Sequence, residues 1–243
     1  MRGAGDPSGA CAVTPGGDPR ANRLLAALAP DDLERVELRR GAVLLEPAAR
    51  LGHVWFPEGC AVSLVIVLRD GTAEGTVVGR EGAVGIVGAL GGRRAVARDV
   101  VQVPGPALRL ALGPLEAALE ASPALRRLCA SYVQAFAAEV LQTAACNARH
   151  GAEARLARWL LLLQDRAGSG TALPLTQEFL AMTLGVQRTT VTEIAQALRR
   201  VGLIAYRRGR VTILDRAGLE AASCECYGAI RRHHERLQSR ARD

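Results

Sequence analysis

Between Ala124 and Arg149 the chain contains neither proline nor glycine, a stretch of about seven helical turns at 3.6 residues per turn. Leu125, Leu128, Tyr132, Phe136, Val140 and Thr143 recur within it every three or four residues, which predicts one long amphipathic helix. Pro114 and Ser122-Pro123 introduce the helical region, and Asn147-Ala148-Arg149-His150-Gly151 interrupts it as a hinge. A small domain cannot cover a helix of this length. Its spare apolar stripe predicts pairing with the same helix of a second copy through Leu125, Leu128, Tyr132 and Phe136. A helix lying along its own domain is the alternative.

What precedes the helix has a different texture. Residues 1–21 are rich in Gly, Pro and Ala and lack the apolar core of a secretory signal, so they are expected to be a disordered leader. A short helix is expected within 22–40, with Leu24, Leu25, Leu28 and Leu33 as its apolar positions. From about 41 to 112 short apolar runs alternate with glycine: Val54–Phe56, Val62–Leu68, Thr76–Val78, Val100–Val103 and Leu108–Leu112. Asp70-Gly71 follows the second run as a hairpin signal. Residues 22–122 therefore read as a small jelly-roll-like β-barrel, and the chain as an α+β protein.

After the hinge, Glu153–Arg166 predicts a helix with Leu156, Trp159, Leu160 and Leu163 on one face, ended by Gly168-Ser169-Gly170. Thr176 is a suitable N-cap for a helix over Gln177–Leu184. Gly185 supplies a tight turn, and a second helix follows from Arg188 to about Val201. Val191, Ile194, Ala195 and Leu198 form its apolar face, expected to pack on Phe179, Leu180 and Leu184. Arg188, Thr189, Thr192, Glu193 and Gln196 are left outward. Such polar side chains suit base edges in a major groove. Leu203–Tyr206 and Val211–Leu214 flank Arg207-Arg208-Gly209-Arg210, a hairpin whose basic tip suits phosphates. Residues 151–222 thus read as a winged helix-turn-helix.

Charge supports this. Residues 1–146 hold 15 Arg and 15 acidic residues, whereas 147–243 hold 16 Arg and 9 acidic residues, so the formal +7 lies in the second part. A basic module joined to a neutral one points to a polyanionic partner, here double-stranded DNA. Residues 223–243 are expected to be a basic tail, frayed or touching DNA.

The order of small barrel, long helix over 123–150, hinge and winged helix-turn-helix resembles the Crp/Fnr transcription regulators. The resemblance covers about residues 22–222 and is most specific at LTQEFLAMTLGVQRTTVTEIAQALRRVGLI. It implies a sensing domain, a dimer helix and DNA-binding heads. It also implies base reading by Arg188, Thr189 and Glu193, and phosphate contacts from Thr176, Gln187 and Thr190. Thr189 stands where the family commonly has glutamate, which leaves the operator sequence open.

The resemblance does not identify an effector. Cyclic-nucleotide receptors of the family have a Gly-Glu-Leu-Gly turn with a later arginine; here the turn is Gly82-Ala83-Val84-Gly85, followed by Arg93 and Arg94. Arg93 and Arg94 are the candidate effector-pocket residues, but Ala83 offers no acceptor for a ribose, which argues against cyclic AMP. Cys11 alone near the N-terminus argues against an iron–sulfur sensor, and His53, the lone barrel histidine, argues against haem. Cys224, Cys226, His233 and His234 are a weak metal set, and reduced surface thiols are expected there instead. Cys129 and Cys146 lie on the long helix, where cross-linking between chains or inert burial are both open.

No P-loop, HExxH or G-x-S-x-G motif occurs, which argues against an enzyme. No membrane segment is evident, so a cytoplasmic location is expected, with RNA polymerase a partner if the chain activates. The competing reading is a ligand-binding or protein-interaction module whose helix-turn-helix docks a protein.

Overall fold

The computed structural model describes residues 22–28, 30–69, 71–168 and 172–239. The expected leader, Cys11, Asp70, Ser169-Gly170 and the end of the tail lie outside them.

The N-terminal half is built from two antiparallel sheets. One has the order β1-β7-β3, from β1 (Leu33–Leu38), β7 (Gly105–Ala111) and β3 (His53–Pro57). The other has the order β2-β6-β4-β5, from β2 (Val43–Leu45), β6 (Arg98–Val103), β4 (Ala61–Leu68) and β5 (Gly71–Val78). Val36, Phe56, Ala107 and Leu110 of the first share one core with Leu45, Val62, Leu64 and Val101 of the second. Among the described residues these sheets are not closed into the expected barrel; they form a jelly-roll-like sandwich. Burial drives this, because each sheet turns an apolar face toward the other and so removes it from water.

A second departure concerns residues 22–40. Among the described residues of that segment only α1 (Arg23–Ala26) is α-helical, capped by Asn22, whose side chain accepts from the Leu24 and Leu25 amides. Pro30–Asp32 makes a single 3-10 turn, and Leu33–Leu38 pairs along its whole length with β7. Val36 and Leu38 then point into the core, so the gain from cross-strand pairing exceeds the local helical spacing of the leucines.

After the short α2 (Ile86–Ala89), α3 (Leu112–Ala121) leads to α4 (Pro123–Arg149), the long helix. Ser122 caps α4 by accepting from the Leu125 amide at 3.1 Å. Leu125 and Tyr132 are not a free stripe: both are buried in the sandwich core of their own chain, with Leu128 and Phe136 packed against it. Leu125 and Tyr132 are therefore not free for the expected contact between copies, whereas Leu128 and Phe136 are half-buried. Cys129 is likewise enclosed, at 1% exposure.

α5 (Ala152–Ala167), β8 (Ala172–Pro174), α6 (Gln177–Leu184), α7 (Arg188–Arg200), β9 (Ile204–Arg207) and β10 (Arg210–Ile213) make the winged module, with sheet order β8-β10-β9. α8 (Arg216–Ala222) and α9 (Cys226–Ser239) follow. The expected frayed tail is thus largely an ordered helix, and α9 packs on α4 and α5. The module also rests on the sandwich: Ala61, Val77 and Val103 belong to the same core as Leu160, Leu163 and Leu180. Among the described residues no helix is long and apolar enough to cross a membrane.

Candidate nucleic-acid interface

The interface begins at Thr176, whose hydroxyl accepts the Phe179 amide at 3.2 Å and so starts α6. Gly185 ends that helix in the left-handed conformation, at φ 62°, where a side chain would be strained. The chain reverses and α7 begins after Gln187, whose side chain makes no capping bond. Val191 and Leu198 are wholly buried, Ala195 nearly so and Ile194 half-buried. Their burial fixes the rotation of α7. Arg188, Thr189, Glu193 and Gln196 consequently face outward, while Thr190 and Thr192 are half-buried. The Thr192 hydroxyl donates to the Arg188 carbonyl at 2.9 Å, so part of its bonding capacity is used within the helix.

The wing is a two-residue hairpin. Arg207 pairs with Arg210 across it, and Arg208 and Gly209 both have positive φ, 48° and 72°, as a type I′ turn requires. Arg207, Arg208 and Arg210 are all exposed. Among the described residues none of the three sits in a salt bridge. The Tyr206 hydroxyl donates to the Leu175 carbonyl at 3.4 Å, tying the wing to the entrance of α6. Burial pushes the Tyr206 phenol up, and the charges of Arg188 and Arg40 oppose the shift. Arg188 therefore lies within electrostatic reach of the wing's base.

Residues 154–222 match the profile of the Crp-like helix-turn-helix domain. This segment is a Crp-like helix-turn-helix domain. No curated protein sequence matches the chain. Among solved structures it is similar to TTHB099, a CRP-family transcriptional regulator from Thermus thermophilus, at 21% identity and TM-score 0.64, covering 78% of this chain and 96% of that one. A second regulator of that organism, TTHA1359 of the CRP/FNR family, gives 23% identity and TM-score 0.63, over 78% and 98% of the two chains. FixK2 from Bradyrhizobium japonicum gives 17% identity and TM-score 0.62, over 79% and 98%. At these identities the likeness carries the fold, which is that of Crp/Fnr regulators.

The Crp-like module is joined to the sandwich by polar contacts that sequence reasoning missed. Trp159 of α5 donates its indole N–H to the buried Glu74 carboxylate of β5 at 2.6 Å. Arg166 meets Glu139 at 2.6 Å and Glu81 at 3.2 Å. Nothing local in the sequence marks these partners, which are 85, 27 and 85 positions apart.

At the sandwich, Arg93 pairs with Glu116 at 2.7 Å, and Arg94 donates to the Ala48 carbonyl at 2.7 Å. Both line a hollow of about 380 Å³ with Arg50, Leu51, Gly92 and Leu112. The Gly82–Gly85 turn is engaged by the chain itself. Asn22 donates to the Gly82 carbonyl at 2.8 Å, and the Ala83 amide donates to the Tyr132 hydroxyl at 3.3 Å.

The cysteines are arranged differently from expectation. His234 lies 2.6 Å from Glu139 rather than near Cys224 and Cys226. Those two buried thiols meet Cys146 and His150 instead, so Cys146 faces its own chain and is placed for no cross-link to another.

Proposed function

We propose that the chain is a homodimeric, sequence-specific transcription regulator of Crp/Fnr type that reads a pseudo-palindromic operator. The observation that carries this is the outward polar face of α7 at Arg188, Thr189 and Glu193, set beside an unpaired arginine wing. Arg188 would bind a guanine edge, Thr189 and Thr192 would contact neighbouring bases, and Glu193 would accept from a cytosine amino group. Thr176, Gln187, Thr190, Arg207, Arg208 and Arg210 would hold phosphates. The positive end of α7 adds to the attraction at Gln187 and Arg188.

Two heads would enter successive major grooves about 34 Å apart. Because Leu125 and Tyr132 are spent in the core, the contact between copies is assigned to the outward stripe of α4. That stripe holds Ala130, Gln134, Ala137 and Leu141, all exposed or partly so, with Leu141 at 71%. An effector would act by binding unequally to two arrangements of the α4 pair. The hollow at Arg93 and Arg94 is the assigned place for it. Cyclic AMP is disfavoured, since Tyr132 and Asn22 occupy the turn and Ala83 has no acceptor.

Genomic selection of bound DNA fragments, comparing wild type with Arg188→Ala, tests the reading. A palindromic motif that the variant loses is the expected result. Binding that is sequence-independent and unchanged by the variant would overturn it in favour of a protein-docking module.

A further inference from the structure

The last turn of α4 and the start of α9 bring three thiols and an imidazole together. Cys146 lies on α4, and His150, its C-cap, stands one turn later, its amide donating to the Cys146 carbonyl at 2.9 Å. Residues four apart on a helix share a face. Cys224 lies between α8 and α9, and Cys226 is the first residue of α9. The Cys146 and Cys224 sulfurs are 3.5 Å apart, and the Cys226 sulfur is 3.6 Å from His150 Nδ1. All four candidate ligand atoms fall within 4.8 Å of one another.

The 3.5 and 3.6 Å separations match a tetrahedron around a single ion, and the remaining ones, at up to 4.8 Å, need only a small contraction to close on it. With metal–sulfur bonds of about 2.3 Å and metal–nitrogen bonds of about 2.0 Å, its edges would be about 3.5–3.8 Å. They are far longer than a disulfide of about 2.05 Å. They are also too short for an iron–sulfur cluster, whose own irons and sulfides would push the ligands apart. Nor does ordinary core packing account for the group. The three cysteines form a buried cluster separate from both large cores, and among the described residues the partly buried hydrophobic packed against it is Ala154.

The surroundings suit a metal as well. His150 turns Nδ1 toward the sulfurs while its Nε2 lies 3.3 Å from Glu225 Oε1. A carboxylate on the far nitrogen of a ligating histidine orients the ring and raises its basicity. Gln142 donates to the Cys226 sulfur at 3.0 Å, as a donor to a thiolate would. Arg158, 4% exposed, lies within electrostatic reach of Cys146. Three thiolates and a divalent ion carry one net negative charge, which that guanidinium offsets.

We propose that Cys146, His150, Cys224 and Cys226 form a closed Cys3His site for one zinc ion. Thiolates with one imidazole are a zinc donor set, and four protein ligands leave no open position for catalysis. The site therefore acts as a staple between the end of α4 and the start of α9. Tyr227, next to Cys226, donates to Asp165 of α5 at 2.8 Å, so the staple also fixes α5 relative to α4. Zinc loss or thiol oxidation would loosen the junction through which the Crp-like module is held.

The test uses the full chain, purified under reducing conditions, with zinc measured by elemental analysis. The expected result is one zinc per chain. Cys146→Ser and Cys224→Ser should lose it, whereas Cys129→Ser, altering the other buried α4 cysteine, should keep it. Because ligand variants can fail to fold, cobalt(II) is also titrated into the metal-free wild type. Tetrahedral d–d bands and thiolate-to-cobalt charge transfer of three-sulfur intensity are expected. Glu225→Gln, on an exposed side chain, should weaken zinc binding by about tenfold. A reduced protein that binds neither zinc nor cobalt would overturn the site, as would zinc retained by both Cys146→Ser and Cys224→Ser. A Cys146–Cys224 disulfide in a protein that takes up no metal would also overturn it.

Discussion

The Arg166 guanidinium lies 2.6 Å from the Glu139 carboxylate, with side-chain exposures of 5% and 3%. Glu139 belongs to α4 and Arg166 to α5, so the pair joins the long helix to the Crp-like module. Arg166 also donates to the Val77 carbonyl of β5, and Glu139 accepts from Thr76. His234 of α9 completes the group. Burial by itself would raise the Glu139 pKa, but Arg166 and His234 outweigh it and hold the carboxyl well below the usual range.

Removing one partner leaves a buried charge without compensation. Arg166→Ala should destabilise the chain by about 3–5 kcal/mol in urea unfolding at neutral pH. Since the Glu139 pKa is depressed, its stabilisation is present above the ordinary carboxylate value of 4.5 and lost as pH falls below it. The difference between wild type and Arg166→Ala should therefore shrink in strong acid. An equal difference at all pH values would contradict the assignment.

Glu74 and Asp99 have the opposite sign. Burial pushes Glu74 up to about 7, partly opposed by hydrogen bonding that includes the Trp159 indole. Burial likewise raises Asp99 to about 7. Both are protonated in the folded chain where the unfolded chain has already lost the proton. Their contribution is full below the unfolded values of 4.5 and 3.8 and declines as pH rises to about 7. Glu74→Gln and Asp99→Asn should each flatten the fall in unfolding free energy between about pH 4 and pH 7. Variants that keep the wild-type slope would remove these groups from the account.

Base reading and phosphate holding predict different signatures. Arg188→Ala should relax preference at one operator position by about 1–3 kcal/mol. Replacing Arg207, Arg208 and Arg210 by Ala should weaken binding to all sequences alike. It should also lower the slope of log affinity against log salt by about one unit for each phosphate no longer held. A wing variant that changes base preference but not the salt slope would reverse these roles.

Leu141 and Tyr132 separate the outward and inward stripes of α4. Leu141→Glu should convert a dimer to a folded monomer in sedimentation equilibrium, with the wild-type circular dichroism spectrum and a thermal transition that no longer depends on protein concentration. Tyr132→Ala should instead cost about 3–5 kcal/mol of stability, as loss of a buried aromatic does. A Leu141→Glu protein that sediments as a dimer would move the contact elsewhere.

Local chemistry accounts for what the sequence makes legible. Thr176, Gly185 and the Val191-Ala195-Leu198 spacing specify α6, the turn and α7 within a short window, and the structure has α6 at Gln177–Leu184 as expected. The wing follows equally from Arg208-Gly209 between two apolar runs. Residues 33–38 fall in a segment that reads as helical from Leu24, Leu25, Leu28 and Leu33, and only the partner strand β7 makes them extended. The closed barrel fails for a related reason: apolar alternation marks which face is buried but not whether the sheet edges meet.

By itself, then, the sequence determined the long helix, the helix-turn-helix with its basic wing, and the strand-rich N-terminal half. Each rests on periodicity, caps and turns that act over a few residues. The tertiary structure alone decided which stripe of α4 is covered, that α9 returns to that helix, and that Cys146 meets Cys224 from 78 positions away. Such contacts are set by how whole elements bury their apolar faces against one another, and the cost of closing the intervening chain grows too slowly with length for sequence distance to forbid them.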